Sequence, residues 1–112
     1  MRQQVAEFTR QDQRGSLVQL ATGNWKQVNV LFIKRNETFG GHYHLLKEEL
    51  FIVMRGEVGV QVTKDKRGRV YHFHAGDSFI IEPNDVHTIL AYEDSQLVEL
   101  VTETFSKDDT YV

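Results

Sequence analysis

The segment GGHYHLLKEE, residues 40–49, has histidines at a spacing that suits a metal site. His42 and His44 are two residues apart, and on a β-strand such residues point to the same face. Both imidazoles can therefore reach one ion while Tyr43 faces away. A third imidazole, His87, lies downstream. Nitrogen and oxygen donors without a thiolate suit zinc, iron, manganese, nickel or copper, and imidazole binds each of these ions once it is deprotonated.

Two adjacent carboxylates, Glu48 and Glu49, compete for a place beside these histidines. Strict alternation from His44 favours Glu48, since the two positions share a face on an unbroken strand. Glu49 would join the histidines only if a turn or bulge through 45–47 resets the phase of the strand. The residue pattern by itself leaves both carboxylates open.

Composition limits the setting of this site. The chain has 112 residues, 13 basic and 16 acidic side chains, a net charge of −3 and no cysteine. This length predicts a single domain, 1–112, with one core. Because no run of Lys and Arg forms a basic stripe, we expect neither nucleic acid nor an anionic membrane as a partner. Without a membrane-length apolar run or a hydrophobic signal core, the sequence predicts a cytoplasmic protein.

Apolar residues recur along the chain with a period of two, which predicts β-strands rather than helices. Glycine, asparagine, aspartate and proline separate these runs and favour turns. Many short strands with frequent turns predict an all-β sandwich or barrel. The runs that predict strands are 17–20, 28–33, 50–53, 58–62, 70–73, 79–81 and 97–101.

Two motifs of the chain resemble those of the cupin superfamily, whose fold is a double-stranded β-helix, or jelly-roll barrel. The first motif combines a glycine, a His-x-His pair, a glutamate and a further glycine. The second runs from a Gly-Asp turn through a strand to a proline and a histidine. The matching positions are Gly40 or Gly41, His42, His44, Glu49 and Gly56 for the first motif, and Gly76, Asp77, 79–81, Pro83 and His87 for the second.

The resemblance implies a barrel core over about 14–105 that binds one divalent metal inside it. It also favours Glu49 over Glu48 as the carboxylate, because the family spacing places the glutamate five residues after the second histidine. The implied metal ligands are His42, His44, Glu49 and His87.

A narrower resemblance is to the C-terminal cupin domain of capsular-polysaccharide sugar-nucleotide epimerase/reductases. It is carried by residues 42–51, by Gly56-Glu57 and by the terminal motifs at 104–105 and 109–111. The segment 12–17 is also similar to the Asp-x-Arg-Gly start of sugar-nucleotide epimerase and 3,4-ketoisomerase cupins. These resemblances imply zinc as the favoured metal and an activated keto sugar, a nucleotide sugar, as the substrate. No separate organic cofactor is implied.

Those sugar enzymes usually carry Arg-Gly immediately before the first histidine, where this chain has Phe39-Gly40. An arginine there would bind a phosphate through its planar fork of donors. Arg14 or Arg35 would have to replace it.

Epimerisation of a keto sugar needs a group that removes a proton beside the ketone and a group that returns it. Imidazoles that bind a metal cannot also act as the free base. The candidates for these acid and base roles are Tyr43, Lys47, Tyr92 and Glu103.

Two other functions fit the same motifs. One is a mononuclear dioxygenase with iron, nickel or copper held by three histidines and a glutamate, in which substrate and oxygen occupy open coordination positions. The other is a non-catalytic barrel that binds a sugar. Fold alone does not choose among the three functions.

Three further features complete the sequence-based prediction. His72 and His74 form a second His-x-His without a matching acid, and we expect them to face solvent. Trp25, the sole tryptophan, is predicted to pack rather than to join the site. Unpaired strand edges favour a homodimer, with 16–20 as an exchanged or edge-paired strand.

Overall fold

The computed structural model describes residues 1–44, 47–104, 109 and 111. Most of the segment 45–47, through which a turn or bulge was predicted, lies outside the described residues, as do Phe105 and Thr110 of the terminal motifs. Every named element of the described part is a β-strand, which confirms the all-β prediction. The strands are β1 (Arg2–Gln3), β2 (Phe8–Asp12), β3 (Gly15–Gln19), β4 (Gln27–Ile33), β5 (Thr38–His42), β6 (Glu49–Arg55), β7 (Glu57–Lys64), β8 (Arg67–His74), β9 (Ser78–Ile81), β10 (Val86–Ala91) and β11 (Ser95–Val101).

Two antiparallel sheets form the body of the molecule. One has five strands in the order β1-β9-β6-β11-β4, and the other has four in the order β5-β10-β7-β8. Strands β2 and β3 form a separate hairpin. Neighbours in each sheet are often distant in the chain, as in the jelly roll that the resemblance implies. The predicted double-sheet fold is therefore confirmed.

Alternating side chains explain why these strands pack as two layers. On β4, Ile33 is buried whereas Val30 and Phe32 point outward and are exposed. Phe51 and Phe79 stack in the core at 5.1 Å between ring centroids. Burying a side chain of this size contributes about 1.5–3 kcal/mol to stability. The core consists of Ile33, Phe51, Val53, Val58, Val60, Val62, Phe73, Phe79, Ile81, Ile89, Ala91 and Leu97.

Each of the seven predicted strands overlaps a strand of the structure, but β1, β2, β5 and β10 were not predicted. β5 contains Gly40 and Gly41, which are rare in strand interiors, and it is held by pairing with β10. All five residues of β2 are exposed, so no apolar alternation marks it. In the part of the chain that the structure describes, no helix is long and apolar enough to cross a membrane.

Candidate metal centre

Three histidines and one glutamate meet where the two sheets approach each other. His42 ends β5 and lies opposite His87 of β10 in the four-stranded sheet. Glu49 begins β6 in the five-stranded sheet. His44 lies in the segment of the chain that connects β5 to β6. One potential ligand atom from each of these four residues lies within 4.8 Å of the others. The structure thus brings together all four residues that the cupin resemblance implies as ligands.

Glu49 rather than Glu48 belongs to this cluster. The Glu49 side chain is buried, whereas Glu48 lies at the surface and pairs with Arg2 at 3.1 Å. The alternation rule favoured Glu48 because it assumed an unbroken strand. The chain instead leaves the four-stranded sheet after His42 and enters the other sheet at Glu49, so the two residues do not share one strand phase.

A bulge in β5 places His42 beside His87. In the pairing of β5 with β10, His42 is opposite His87 and Gly40 is opposite Thr88, which leaves Gly41 as the extra residue. Gly40 has a φ of 114°, and a Cβ there would lie 2.5 Å from the carbonyl oxygen of His87. The close approach of the two backbones therefore requires glycine at position 40.

Backbone carbonyls fix the orientation of the two buried imidazoles. His44 Nδ1 lies 2.7 Å from the carbonyl oxygen of Asp109, and His87 Nδ1 lies 3.0 Å from that of Asp85. A carbonyl only accepts hydrogen bonds, so Nδ1 carries the hydrogen in both rings. The Nε2 atoms then face Glu49 Oε1, at 2.9 Å from His44 and 3.7 Å from His87.

The donor set fits a cation between these atoms. Glu49 Oε1 is fully buried and has no hydrogen-bond partner in the described structure, although it lies beside two Nε2 atoms. A buried, unpaired carboxylate oxygen is costly. Imidazole nitrogens and a carboxylate oxygen are ligands that zinc and related divalent metals use in proteins. His42, His44, Glu49 and His87 could therefore hold one such ion.

The electrostatics of the cluster favour the protonation states that a metal needs. Burial lowers the pKa of His42 and of His87, so both rings tend to be neutral. Burial by itself would raise the pKa of Glu49, but the contacts of its carboxylate with His44, Glu99 and His87 outweigh burial and lower that pKa to about 2. Neutral imidazole and ionised carboxylate are the ligand forms.

Glu99 is a residue of the site that the sequence reasoning missed. It lies on β11, and its Oε1 accepts a hydrogen bond from Asn29 Nδ2 at 2.8 Å. Burial, followed by the hydrogen bond with Glu49 and that residue's charge, raises the pKa of Glu99 to about 8. The signal was present in the sequence. On a strand, position 99 points to the same face as Leu97 and Val101, and both of these residues are buried.

The cluster opens into a cavity of about 210 Å³. Its polar side chains are two of the histidines, Glu49 and Glu99, and the rest of the wall is largely apolar. Such a mixture of apolar walls and a few converging polar groups is typical of small-molecule sites. The lining residues are Leu31, Phe39, Gly40, His42, Glu49, Phe51, His87, Ile89 and Glu99.

The four predicted acid and base residues do not line this cavity. Tyr43 stacks on Tyr111 with ring centroids 5.2 Å apart. Lys47 is buried near the cluster, and its charge contributes to lowering the pKa values of His42 and Glu99.

The other two candidates contact residues outside the cluster. Tyr92 packs over Gly59, and its ring centroid is 4.7 Å from that of His72. Glu103 is exposed and pairs with Lys26 at 3.2 Å. Neither Tyr92 nor Glu103 is among the residues that line the cavity, and their acid and base roles stay a prediction.

Neither arginine predicted to bind a substrate phosphate lines the cavity. Arg14 lies at the turn of the β2–β3 hairpin and pairs with Asp12 at 2.6 Å. Arg35 follows β4, where its backbone N–H donates to Asp94 at 2.9 Å. That one of them replaces the missing arginine before His42 stays a prediction.

The second His-x-His pair faces solvent, as predicted. The side chains of His72 and His74 are 62% and 75% exposed. Glu57 and Asp77 lie near them, at 3.6 Å and 3.5 Å, but in the described residues the pair joins no cluster of potential metal ligands.

Comparison with known proteins places this site in a family context. A family model described as "Polysaccharide biosynthesis C-terminal domain" matches residues 10–111, which is most of the chain. No curated protein sequence matches the chain.

Several solved structures are similar. The QdtA sugar 3,4-ketoisomerase from Thermoanaerobacterium thermosaccharolyticum in complex with TDP superposes with a TM-score of 0.82 at 16% identity, over 95% of this chain and 83% of that one. For dTDP-4-dehydrorhamnose 3,5-epimerase from Sulfolobus tokodaii the TM-score is 0.72 at 18% identity, over 91% and 70%. These two likenesses show a shared fold.

The capsular polysaccharide assembling protein CapF from Staphylococcus aureus is also similar. Its TM-score is 0.67 at 26% identity, and the match covers 93% of this chain but 33% of CapF. The chain thus spans about a third of the length of that protein.

Proposed function

The chain belongs to the polysaccharide biosynthesis C-terminal domain family, and from that premise we propose that it is a metal-dependent isomerase or epimerase of a nucleotide-linked keto sugar. The observation that carries this proposal is the cluster of three histidines and Glu49, which opens into a cavity that also contains Glu99. The names of the similar structures, a 3,4-ketoisomerase and a 3,5-epimerase, support the reaction class.

We propose His42, His44, Glu49 and His87 as the metal ligands and zinc as the metal. The unpaired Glu49 oxygen beside two imidazole lone pairs supports a cation at this position. When bound, such an ion acts as a Lewis acid that polarises a carbonyl oxygen. All remaining chemistry must come from the side chains of the chain itself.

Glu99 is the proposed proton carrier. Its carboxyl group lines the cavity but is not one of the four potential ligands, so it is the carboxyl group available to a substrate there. In an isomerisation beside a ketone, one C–H bond breaks, its proton passes to a base, and the electron pair moves into an enediolate. The same or a second group then returns a proton to carbon. A carboxyl group within hydrogen-bonding reach can perform both transfers, since its ionised form takes the proton from carbon and the carboxylic acid so formed returns it.

The shape of the cavity indicates how the substrate would be held. Its volume of about 210 Å³ is smaller than the pockets of roughly 300–1,000 Å³ that enclose larger ligands. The keto-sugar ring would therefore enter, and the nucleotide would remain outside. No lysine or arginine is among the cavity-lining residues of the described structure, so the diphosphate would also bind outside the cavity. Phe39 and Phe51 would shield the reacting carbon from water.

The proposal is tested by isotope exchange. Wild-type protein and the His44→Ala variant would be incubated in deuterated water with TDP-4-keto-6-deoxyglucose, a compound found in one structure of mutant QdtA. We expect the zinc-loaded wild type to incorporate deuterium beside the ketone without consuming oxygen, and the variant to lose this activity. Oxygen consumption would instead indicate a dioxygenase. A thermal shift with this ligand but no exchange would indicate a non-catalytic sugar-binding protein.

We also propose that the chain forms a homodimer. The outer face of the five-stranded sheet carries a row of paired apolar residues, Val30 on β4, Val98 on β11 and Ile52 on β6. Val30 and Phe32 are 54% and 70% exposed, and β4 is an edge strand. Exposed apolar patches of this kind mark interaction surfaces.

The β2–β3 hairpin supports a second copy as the occupant. All ten of its residues are exposed, and it pairs with no other strand of the described structure. A two-stranded hairpin is marginally stable alone in water. A second copy would supply partners for both features. The β2–β3 hairpin of each copy could cover the β4 edge of the other.

A further inference from the structure

We infer that Asp109 and Tyr111 are positioning residues that fix the His44 imidazole in the orientation needed for metal binding. They lie far from His44 in sequence, in the terminal motif that the sequence analysis singled out, and neither lines the cavity. The consequence for metal binding rests on the proposed metal centre, whereas the orientation of His44 can be measured without it.

The first step of the argument is a backbone bridge between Tyr43 and Tyr111. The Tyr43 N–H donates to the Tyr111 carbonyl at 2.9 Å, and the Tyr111 N–H donates to the Tyr43 carbonyl at 3.0 Å. The two rings stack with an interplanar angle of 19°. β5 ends at His42, so the backbone around His44 is held outside the sheet by this bridge and by the Asn84 N–H, which donates to the His44 carbonyl at 2.7 Å.

The second step is the contact with the His44 ring itself. His44 Nδ1 donates to the Asp109 carbonyl at 2.7 Å, and both residues are buried, with 5% and 7% of their surface exposed. This hydrogen bond keeps the hydrogen on Nδ1 and leaves Nε2 directed at Glu49. A hydrogen bond to the far nitrogen of a ligating histidine sets its tautomer and ring orientation.

The third step is a comparison with His87. Its Nδ1 donates to the carbonyl of Asp85, two residues earlier, so a local contact orients this ring. The corresponding partner of His44 is 65 residues away in sequence. The orientation of His44 therefore depends on the docking of a distant segment, and that of His87 does not.

The bridge lies outside the strand ladders. The Tyr43–Tyr111 pairing is an isolated bridge, and neither sheet includes it. Breaking it should leave the sheets and the core intact, so an effect on His44 can be separated from a loss of the fold.

The experiment compares Tyr111→Pro, Tyr111→Ala and Tyr111→Phe in the full chain. Proline removes the N–H that donates to Tyr43, alanine removes the stacked ring, and phenylalanine keeps both as the matched control. In metal-free protein, NMR of the imidazole N–H groups should show buried, hydrogen-bonded Nδ1–H protons of both His44 and His87 in the wild type. Tyr111→Pro should lose the His44 signal and retain that of His87. Tyr111→Ala should weaken the His44 signal alone.

Zinc affinity provides the second readout. Competition with a chelator should show binding about 10- to 100-fold weaker for Tyr111→Pro, the range typical when the hydrogen-bond partner of a ligand is lost. Tyr111→Phe should bind like the wild type.

Other outcomes would overturn the inference or separate it from the proposed function. An unchanged His44 signal in folded Tyr111→Pro, or in Tyr111→Ala if the proline variant does not fold, would refute the positioning role. Equal losses at His44 and His87 would also refute it, because the effect would then be general. If the wild type bound no metal while the NMR result held, the positioning of His44 would stand and the metal-dependent function would fail.

Discussion

Glu99 and Glu49 share a hydrogen bond between two adjacent strands of the five-stranded sheet, β11 and β6. Two ionised carboxylates cannot form such a bond, so one of the two groups must carry a proton. Burial raises the pKa of Glu99 to about 8, whereas the contacts with His44 and Glu99 lower the pKa of Glu49 to about 2 despite its burial. Glu99 therefore donates and Glu49 accepts around neutral pH.

The first prediction concerns Glu99→Gln. Glutamine keeps a donor for Glu49 but cannot transfer a proton, so metal content should be retained while activity falls by about 10²- to 10⁴-fold, the usual contribution of a general acid or base. Deuterium incorporation and metal analysis would be measured together. Glu103→Gln, which changes a glutamate that pairs with Lys26 at the surface, is the matched control and should remain active. Equal activity of the two variants would exclude Glu99 as the proton carrier.

The second prediction concerns the pH dependence of the metal-free protein. The pKa of Glu99 is raised from an ordinary value of 4.5 to about 8 in the folded state. The unfolded chain therefore loses the Glu99 proton at lower pH than the folded chain does. The contribution of protonated Glu99 to the free energy of unfolding is complete below pH 4.5 and is lost as the pH rises through about 8. Denaturant unfolding should show the free energy of unfolding of the wild type falling relative to that of Glu99→Gln over this range. Parallel pH profiles would contradict the raised pKa.

The strands could be predicted where burial alternates along one segment, as in β4 and β11. β5 could not, because Gly40 and Gly41 suit the close approach to β10 rather than any local preference for a strand. A stretch of backbone that exists only because a distant partner lies beside it leaves no periodic signal in the sequence.

The third prediction compares the first histidines of the two His-x-His pairs. His42→Ala should reduce the zinc content of purified protein to near zero, because it removes one of four clustered donors. His72→Ala removes an exposed imidazole outside any cluster and should leave the zinc content unchanged. Elemental analysis gives the content, and the wild type should also gain about 2.7 kcal/mol of stability at zinc concentrations 100 times the Kd. Zinc loss in both variants would show that binding is adventitious.

The fourth prediction tests the close approach of β5 to β10 at Gly40. Gly76, which also has a positive φ, is the control. At Gly76 an added Cβ meets nothing within 4 Å, so Gly76→Ala should cost only the backbone strain, about 1–2 kcal/mol. At Gly40 the same atom would lie 2.5 Å from the His87 carbonyl oxygen, and overpacking should add about 1–3 kcal/mol. Denaturant unfolding measures both. Gly40→Ala should also weaken zinc binding, because His87 must move. Equal costs would argue against the close approach.

The fifth prediction tests the dimer with two matched valines. Val30 and Val70 are 54% and 58% exposed and lie on different sheets. Val30→Lys should shift the protein to monomer in sedimentation experiments, because it places a charge in the apolar face, whereas Val70→Lys should not. A monomeric wild type at micromolar concentration would contradict the homodimer itself.

The site was predictable as a set of ligand types but not as a three-dimensional arrangement. The candidate ligands His42, His44, Glu49 and His87 were implied by the resemblance to the cupin motifs. Their convergence depends on a change of sheet between His44 and Glu49, which strand alternation cannot indicate. The inward phase that Glu99 shares with Leu97 and Val101 could have marked its position, but its pairing with Glu49, which is distant in sequence, could not be predicted.

The four clustered residues come from both layers of the barrel, with His42 and His87 in one sheet and Glu49 in the other. A chain without cysteine cannot form a disulfide between its layers. Coordination bonds at this cluster would join the layers instead, as a reversible cross-link whose binding free energy stabilises the folded chain and ties the spacing of the two sheets to the presence of the ion.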